Sequence, residues 1–353
     1  MAGVLAVGQA CAAGFLQPNV SPSAASMGGA FVARADDATA AVINPAGFAW
    51  QGTGSWMLGQ IVDYRQNSLR EPGVGVHPNR GAEPNSGFFY LGRMLGAHAW
   101  GFSFGYLPLF DLRARWPTLG AGEARWTAEL VSLALIHAPS SRWAWALSLD
   151  GWRSKVELVH GGAALAARHW AAGGSVALLW RPRPDLSFGM QYRRTPRLKL
   201  SAGAQRASVK LPDILRVGAS GWNGERLRWA VDLEWQRWSQ LHDLSIRPAS
   251  PRPLRLKDTW SVMAGVAYAF RMGAEYRFGY AYEPAASPSD WDPLVPDQPG
   301  HRLSIGIGGR ALTLDWDFAF TYGWYPKRGV TGSYPGTLRD RRIAFVMSLG
   351  KAF

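Results

Sequence analysis

Leu312, Leu314, Trp316, Phe318, Phe320, Tyr322 and Trp324 alternate with Thr313, Asp315, Asp317, Ala319, Thr321 and Gly323. A period of two puts the apolar set on one face of an extended strand and the carboxylates on the other. The pattern recurs. Trp260, Val262, Val266, Tyr268 and Phe270 oppose Ser261, Gly265 and Ala267, while Tyr276, Phe278, Tyr280 and Tyr282 oppose Glu275, Arg277, Gly279 and Glu283. Trp229, Val231, Leu233 and Trp235 oppose Arg228, Asp232, Glu234 and Gln236. A soluble sandwich would turn such apolar faces toward one shared core. Here the polar face is built from small and charged residues, as a wet barrel lumen requires.

About fourteen two-faced segments are read along the chain, near residues 53–65, 86–95, 98–110, 123–138, 142–157, 168–181, 185–200, 207–222, 226–240, 256–271, 273–284, 301–310, 312–325 and 339–353. An even count suits a single-chain bacterial barrel. Short links at 95–98, 138–142, 181–185, 223–226 and 271–273 alternate with longer ones at 66–85, 241–255, 284–300 and 326–338 that are rich in Pro, Gly and Asp. That alternation places the short turns and both termini on the periplasmic side. Trp143, Trp145, Trp222, Trp238, Trp324 and Tyr325 lie near strand ends, where a ring sits well at the headgroup level.

Composition removes the helical alternative. The 353 residues include 41 Gly and 18 Trp, the mean hydropathy is -0.11, and no apolar run approaches the roughly 20 residues of a spanning helix. A membrane protein without such a helix must be a closed barrel. The formal net charge of +13 is scattered through loops and turns. That spread speaks against nucleic acid and for contacts with anionic lipopolysaccharide and for lumen charges. The single Cys11 lies in MAGVLAVGQACAAGF, with no basic residue before Arg34. Residues 1–12 read as a secretory signal that lacks its basic start, with cleavage after Ala12 set by Ala10 and Ala12. Gly8 and Gln9 are poor lipobox residues, which weakens a lipoprotein reading of Cys11.

In the last segment, RRIAFVMSLGKAF, Ile343, Phe345, Met347, Leu349 and Phe353 share one face, while Arg342, Ala344, Ser348, Gly350 and Ala352 share the other, with Val346 the exception. This is either an ordinary amphipathic last strand or the terminal signal, ending in Phe353, that outer-membrane barrels present to the barrel-assembly machinery. Residues 14–50 are rich in Ala, Ser and Gly, with Arg34, Asp36 and Asp37 their only charges. Asp36 or Asp37 is placed to cap a short helix through Ala38 to Val42. Pro45 ends that helix by biasing Asn44 away from the helical region. Composition alone allows this segment to hang in the periplasm or to fill a lumen.

SAASMGGAFVA at Ser23 to Ala33, followed by ADDATAAVINPAG at Ala35 to Gly47, resembles the N-terminal hatch of the FadL family of outer-membrane transporters for hydrophobic compounds. Further matches follow in family order: Ala13-Gly14-Phe15, LPDILRVG from Leu211 to Gly218, Arg237-Trp238-Ser239, Asp258-Thr259-Trp260, and VPDQPGHRLSIG from Val295 to Gly306. The resemblance runs over nearly the whole chain. It implies an all-β fold, a transmembrane antiparallel β-barrel of fourteen strands at residues 51–353 with a hatch, residues 13–50, as a plug inside the lumen. Asn44, Pro45, Ala46 and Gly47, with Asp36 and Asp37, form the hatch motif. It also implies a monomer that takes up long-chain fatty acids or other hydrophobic molecules passively. Cargo would be captured outside, held in the barrel and released sideways through a gap at a kinked third strand. The third strand here, AWGFSFGYLPLF, carries Gly101, Gly105 and Pro108. Glycine weakens a strand and proline removes a ladder donor, so these three are candidates for a lateral opening, unless Pro108 only ends the strand at its rim. The loop at 111–122 is short where fatty-acid transporters of the family carry a long capture module, which admits a smaller aromatic or alkane cargo.

No enzymatic constellation stands out. His98, His137, His160, His169 and His301 show no paired metal spacing and no Gly-rich phosphate loop precedes a helix, so neither metal nor cofactor is expected. Arg277, Arg302 and Arg310 fall on the lumen face and suit a ligand carboxylate, which a guanidinium binds bidentately. Alternatively they pair with Glu275, Asp315, Asp317, Asp36 or Asp37 and brace the plug. Two functions remain: a gated channel for hydrophobic molecules, and a porin for small polar solutes or a structural envelope barrel. A hatch inside the lumen separates them, because it blocks ion conductance.

Overall fold

The alternating segments close into one antiparallel sheet. The computed structural model describes residues 16–80, 85–96, 99–160, 163–203, 205–242, 253–270 and 273–353. The apolar leader with Cys11 and its cleavage point, the Ala13-Gly14-Phe15 start, His98 and most of the 241–255 link lie outside the described residues. Fourteen strands form the barrel: β1 Gly54–Glu71, β2 Asn85–Met94, β3 Trp100–Arg115, β4 Glu123–His137, β5 Trp143–His160, β6 Ala163–Arg183, β7 Leu186–Arg194, β8 Ile214–Asn223, β9 Leu227–Gln236, β10 Thr259–Ala269, β11 Glu275–Glu283, β12 Gly300–Ala311, β13 Leu314–Val330 and β14 Gly336–Ala352. Each pairs with its neighbours in sequence, and β14 closes on β1 from Ser55↔Ala352 to Arg70↔Thr337.

The register sets which residues meet hydrocarbon. Phe345, Met347 and Leu349 are exposed while Ala344 and Val346 are buried, so Val346 is an apolar residue on the inward row. On β13, Phe318 is exposed while Ala319 and Thr321 are buried. Asp315 and Asp317 share their inward parity. Two aromatic girdles bound the apolar band. One, at the end with the short turns, includes Trp143 stacked on Trp180 at 5.3 Å. The other, at the far end, includes Trp235 beside Trp260 at 6.4 Å and His301 stacked on Trp324 at 5.1 Å. Trp316 and Trp324 lie on the outward row of β13. At roughly 3.3 Å per residue and a tilt of about 40°, they stand about 20 Å apart along the membrane normal, close to a bilayer's apolar thickness.

Three rings expected at the headgroup level belong to the lumen instead. Trp238 is 1% exposed. Trp222 and Tyr325 fall on inward rows opposite Arg228 and Asp340. Nearness to a strand end said nothing about parity, and parity decides.

The strands expected at 185–200 and 207–222 are interrupted. Pro196 and Pro212 cannot donate to a ladder, and β7 stops at Arg194 while β8 begins at Ile214. Between them a separate hairpin, Arg197–Ala202 with Gln205–Lys210, folds off the wall. Its base is pinched by Asp213, which accepts from the Thr195 backbone at 3.0 Å and from Lys210 Nζ at 2.7 Å. The far mouth is roofed by residues 284–299. Trp116 donates to the Pro293 carbonyl at 2.7 Å and packs edge-on against Trp291. The Ser287 backbone donates to Asp297 at 2.9 Å.

Candidate functional site

Inside the barrel lies the N-terminal segment. Pro22–Ser26 is a short helix started by Ser21, whose hydroxyl accepts from the Ala24 backbone at 3.2 Å. Ala40–Ile43 is another, ended at Asn44, which is extended ahead of Pro45. Thr39 takes the cap position of this second helix, and Asp37 stands two residues earlier, accepting from the Thr39 backbone at 2.7 Å. Residues 16–48 are almost entirely buried. They touch the barrel on all sides, and the contacts require wall glycines: a Cβ on Gly189 of β7 would lie 2.1 Å from the Val32 carbonyl, and one on Gly279 of β11 would lie 2.0 Å from the Gly28 nitrogen. A real Cβ never approaches that closely, so both positions admit glycine alone unless the plug moves.

Side chains add polar ties. Asp232 of β9 accepts from the backbones of Phe31 at 2.6 Å and Val32 at 2.7 Å. Asn44 donates to Val32 O at 2.7 Å and to Leu178 O of β6 at 3.1 Å, joining two plug turns to the wall. Gly47 lets Ala35 pass beneath it, since a Cβ there would sit 2.3 Å from Ala35 O. At the short-turn end, Arg34 pairs with Asp36 and with Glu275 at 2.9 Å each, and Asp36 also pairs with Arg228. Burial opposes ionisation of Asp36, yet Arg228 and Arg34 outweigh it and hold its carboxyl down to about 2. Asp37 moves the other way, raised by burial and by Asp36 despite its bonds from Ser23 and Thr39.

The lumen has a second, apolar sector against β2 and β3. Phe88 and Tyr90 stack at 5.0 Å, and Tyr90 donates to Val20 O at 2.7 Å. Phe110 packs on Trp152 at 5.8 Å and edge-on against Trp238 at 6.2 Å. The wall beside this sector is incomplete. Among the described residues, β3 pairs with β2 only from Gly101 to Tyr106, although it continues to Arg115. Its pairing with β4 shifts register between Pro108 and Phe110, so Leu109 and Phe110 are both buried and the inward parity changes. Such a bulge bends the strand. Asn79 and Arg80 bond to β3 at Arg113 and Arg115. In the gap the Leu109 carbonyl accepts from the Gln17 backbone at 2.8 Å, a partner supplied by the plug.

Among the enclosed spaces, one cavity is lined by Leu16, Val20, Ile43, Met263, Arg216 and Arg302 and measures about 40 Å³. A cavity that binds benzene is about 150 Å³. With the plug seated as it is, this space takes water and no aromatic ring.

Residues 163–339 match the sequence profile described as outer membrane protein transport protein (OMPP1/FadL/TodX). This chain belongs to the FadL/TodX family of outer-membrane transport proteins. The fold agrees. A Pseudomonas aeruginosa FadL homologue superposes with a TM-score of 0.84 at 16% identity, over 97% of this chain and 100% of that one. The P. putida toluene transporter TodX gives 0.72 at 16% identity, over 94% and 97%. The Ralstonia pickettii toluene transporter TbuX gives 0.72 at 16%, over 94% and 98%. Curated protein sequences yield no match. As a member of the FadL/TodX family, the protein resides in the bacterial outer membrane and serves transport of hydrophobic compounds.

In this family member, the residues singled out from sequence separate into groups. Asp36, Asp37, Asn44, Pro45, Ala46 and Gly47 come together in the plug. Gly105 faces the plug, its missing Cβ lying 2.5 Å from Val42, and Gly101 lies below the gap against Met94. Pro108 stands at the bulge itself. Arg277 is held by Glu275 at 2.5 Å and Asp317 at 2.7 Å. Arg302 is held by Glu283 at 3.0 Å and Gly28 O at 2.9 Å. Arg310 bonds Asp315 at 2.6 Å on the exposed short-turn rim. Sequence reasoning missed the Phe110, Trp152, Trp238 cluster. Trp152 opposes Leu130 of β4 on the inward row, and the exposed Arg153 beside it gives the opposite signal in the sequence.

Proposed function

We propose that the protein carries uncharged hydrophobic molecules across the outer membrane by passive diffusion and releases them sideways between β2 and β3. The observation that carries this reading is the stretch of β3 just above Tyr106, Leu107 to Phe110, which has no partner on β2 among the described residues, is bordered inside by the apolar sector and is closed by a plug backbone group. Hydrocarbon tolerates no open strand edge, so a wall break persists only where something else satisfies it. Arg277 and Arg302 are occupied by protein carboxylates, and β3 and β4 are joined by a short turn without a helical module. Both features favour aromatic or alkane cargo over a long-chain fatty acid. The plug fills the lumen and supports gating over an open porin. We further read the chain as a monomer, recognised by the barrel-assembly machinery through Phe353 and in contact with lipopolysaccharide.

Gly105→Val is unsuited as a test because its side chain would strike Val42. Deleting Leu109 together with Pro108→Thr removes the bulge and supplies a ladder donor. Uptake of toluene by cells expressing this variant should fall several-fold, with normal heat-modifiable migration of the barrel. Undiminished uptake would refute lateral release, and uptake independent of the wild-type protein would return the porin reading.

A further inference from the structure

Residues 186–212 contain no Asp or Glu, and they include the hairpin that folds off the wall beyond β7. Leu198, Leu200, Ala207 and Val209 bury one face of that hairpin. The opposite face carries Arg197, Lys199, Ser201, Arg206 and Ser208, all exposed. Its register sets Lys210 against Arg197, Ser208 against Lys199 and Arg206 against Ser201. Arg194 precedes the hairpin on the outward row of β7, two residues beyond Tyr192. The ion pairs described in this stretch belong to Arg193 and Lys210, which hold Asp150 and Asp213. Lys210 is held below its ordinary value first by burial and also by Arg194 and Arg197, against the pull of Asp213. Like charges gathered on two paired strands cost stability unless an outside group neutralises them.

We infer that the face formed by Arg197, Lys199 and Arg206, with Arg194 at its base, binds the phosphate groups of outer-leaflet lipopolysaccharide. Guanidinium and ammonium groups make their strongest hydrogen bonds to phosphate oxygens. The two serine hydroxyls between them suit a saccharide. The position fits as well, because Tyr192 stands at the interface and the hairpin rises from the wall just above it. A fatty-acid carboxylate is a poorer occupant, since the exposed face offers its tail no apolar surface. This assignment rests on the lipopolysaccharide contact proposed above and gives that contact a place.

The test uses the intact barrel in detergent, titrated with rough lipopolysaccharide, the same lipid after dephosphorylation, and oleate. Wild-type protein should bind the phosphorylated lipid at least about tenfold more tightly than the dephosphorylated one, and its affinity should fall with added salt. The Arg197→Gln, Lys199→Gln, Arg206→Gln variant should lose that preference while binding oleate as before. Equal affinity of variant and wild type would overturn the site while leaving the general contact. Absence of binding by wild type would overturn both, and selective loss of oleate would make the patch a cargo-capture surface. Should the triple variant fail to fold, Lys199→Gln alone and the salt dependence of wild type decide, and indifference to both salt and phosphate refutes the assignment.

Discussion

Arg193 on β7 donates from Nε to Asp150 Oδ2 on β5 at 2.8 Å, reaching past the strand between them. Gly173 of β6 stands opposite Asp150 and leaves the path clear. The two side chains are 1% and 0% exposed. Ser132 donates to the second Asp150 oxygen at 2.7 Å, and Arg193 Nη1 donates to the plug carbonyl of Val42 at 2.9 Å. One ion pair thus ties the wall to the plug.

Removing one partner strands a buried charge. Asp150→Ala is expected to cost about 3–5 kcal/mol, with much of it recovered in the Asp150→Ala, Arg193→Met double variant. Denaturant midpoints in detergent measure both. An equal loss in single and double variants would show that the pair has no such role.

Gly279→Val places methyl groups where the Gly28 backbone runs. The barrel should still close, because its strand hydrogen bonds are untouched, but the plug has to leave its seat. Single-channel recording in planar bilayers should then show an open-pore conductance that wild type lacks. Wild-type-like blockade would mean that the plug is not held at this point.

Charge on the lipid face should cost by depth. Phe320 lies midway between Trp316 and Trp324 on the outward row, so Phe320→Arg is expected to destabilise by about 2–4 kcal/mol, while Tyr322→Arg, nearer the interface, costs roughly 1 kcal/mol or less. Equal penalties would contradict the girdle assignment.

Asp297, in the roof over the far mouth, is pushed up to about 6 by burial, against bonding from the Ser287 backbone and the charge of Arg328. Its folded form therefore holds a proton that the unlocked loop gives up at lower pH. Roof stability is greatest below the ordinary carboxylate range, declines as pH rises toward 6, and levels off above it. Protection factors of residues 284–299, with the base-catalysed rise of intrinsic exchange divided out, should fall between pH 4 and 7 in wild type. Asp297→Asn should flatten the profile, and an unchanged profile in that variant would assign the effect to another group.

Much of the wall was legible because hydrocarbon imposes a strict period of two: Phe318, Phe345 and Leu349 announce their face. The inward row is harder to read, since Val346, Trp152 and Trp238 pack against a plug and obey no polarity rule. Of the motif positions, Asp213 and Asp258 read as strand residues and Asp297 as part of an outer loop. They are joints, with Asp258 accepting from the Ser239 backbone at 3.0 Å, and such pairings across loops leave no periodic trace. The bulge at Leu109 was signalled by Pro108, but the lost partner on β2 was not, because strand length in one segment says nothing about its neighbour's.

The bond from Gln17 to the Leu109 carbonyl also sets an energy scale. A wall hydrogen bond whose donor comes from within is broken by moving the plug alone, without parting any strand from its neighbour. That bond is worth about 0.5–1.5 kcal/mol net, a small part of what seats the plug, since Asp232, Asn44 and Arg193 tie it to the wall as well. Cargo displaces the plug only if it prefers the displaced state strongly enough to offset all of these ties together. Under the lateral release proposed above, gate and seal are one piece: the plug segment that closes the wall at Leu109 is the one cargo has to displace.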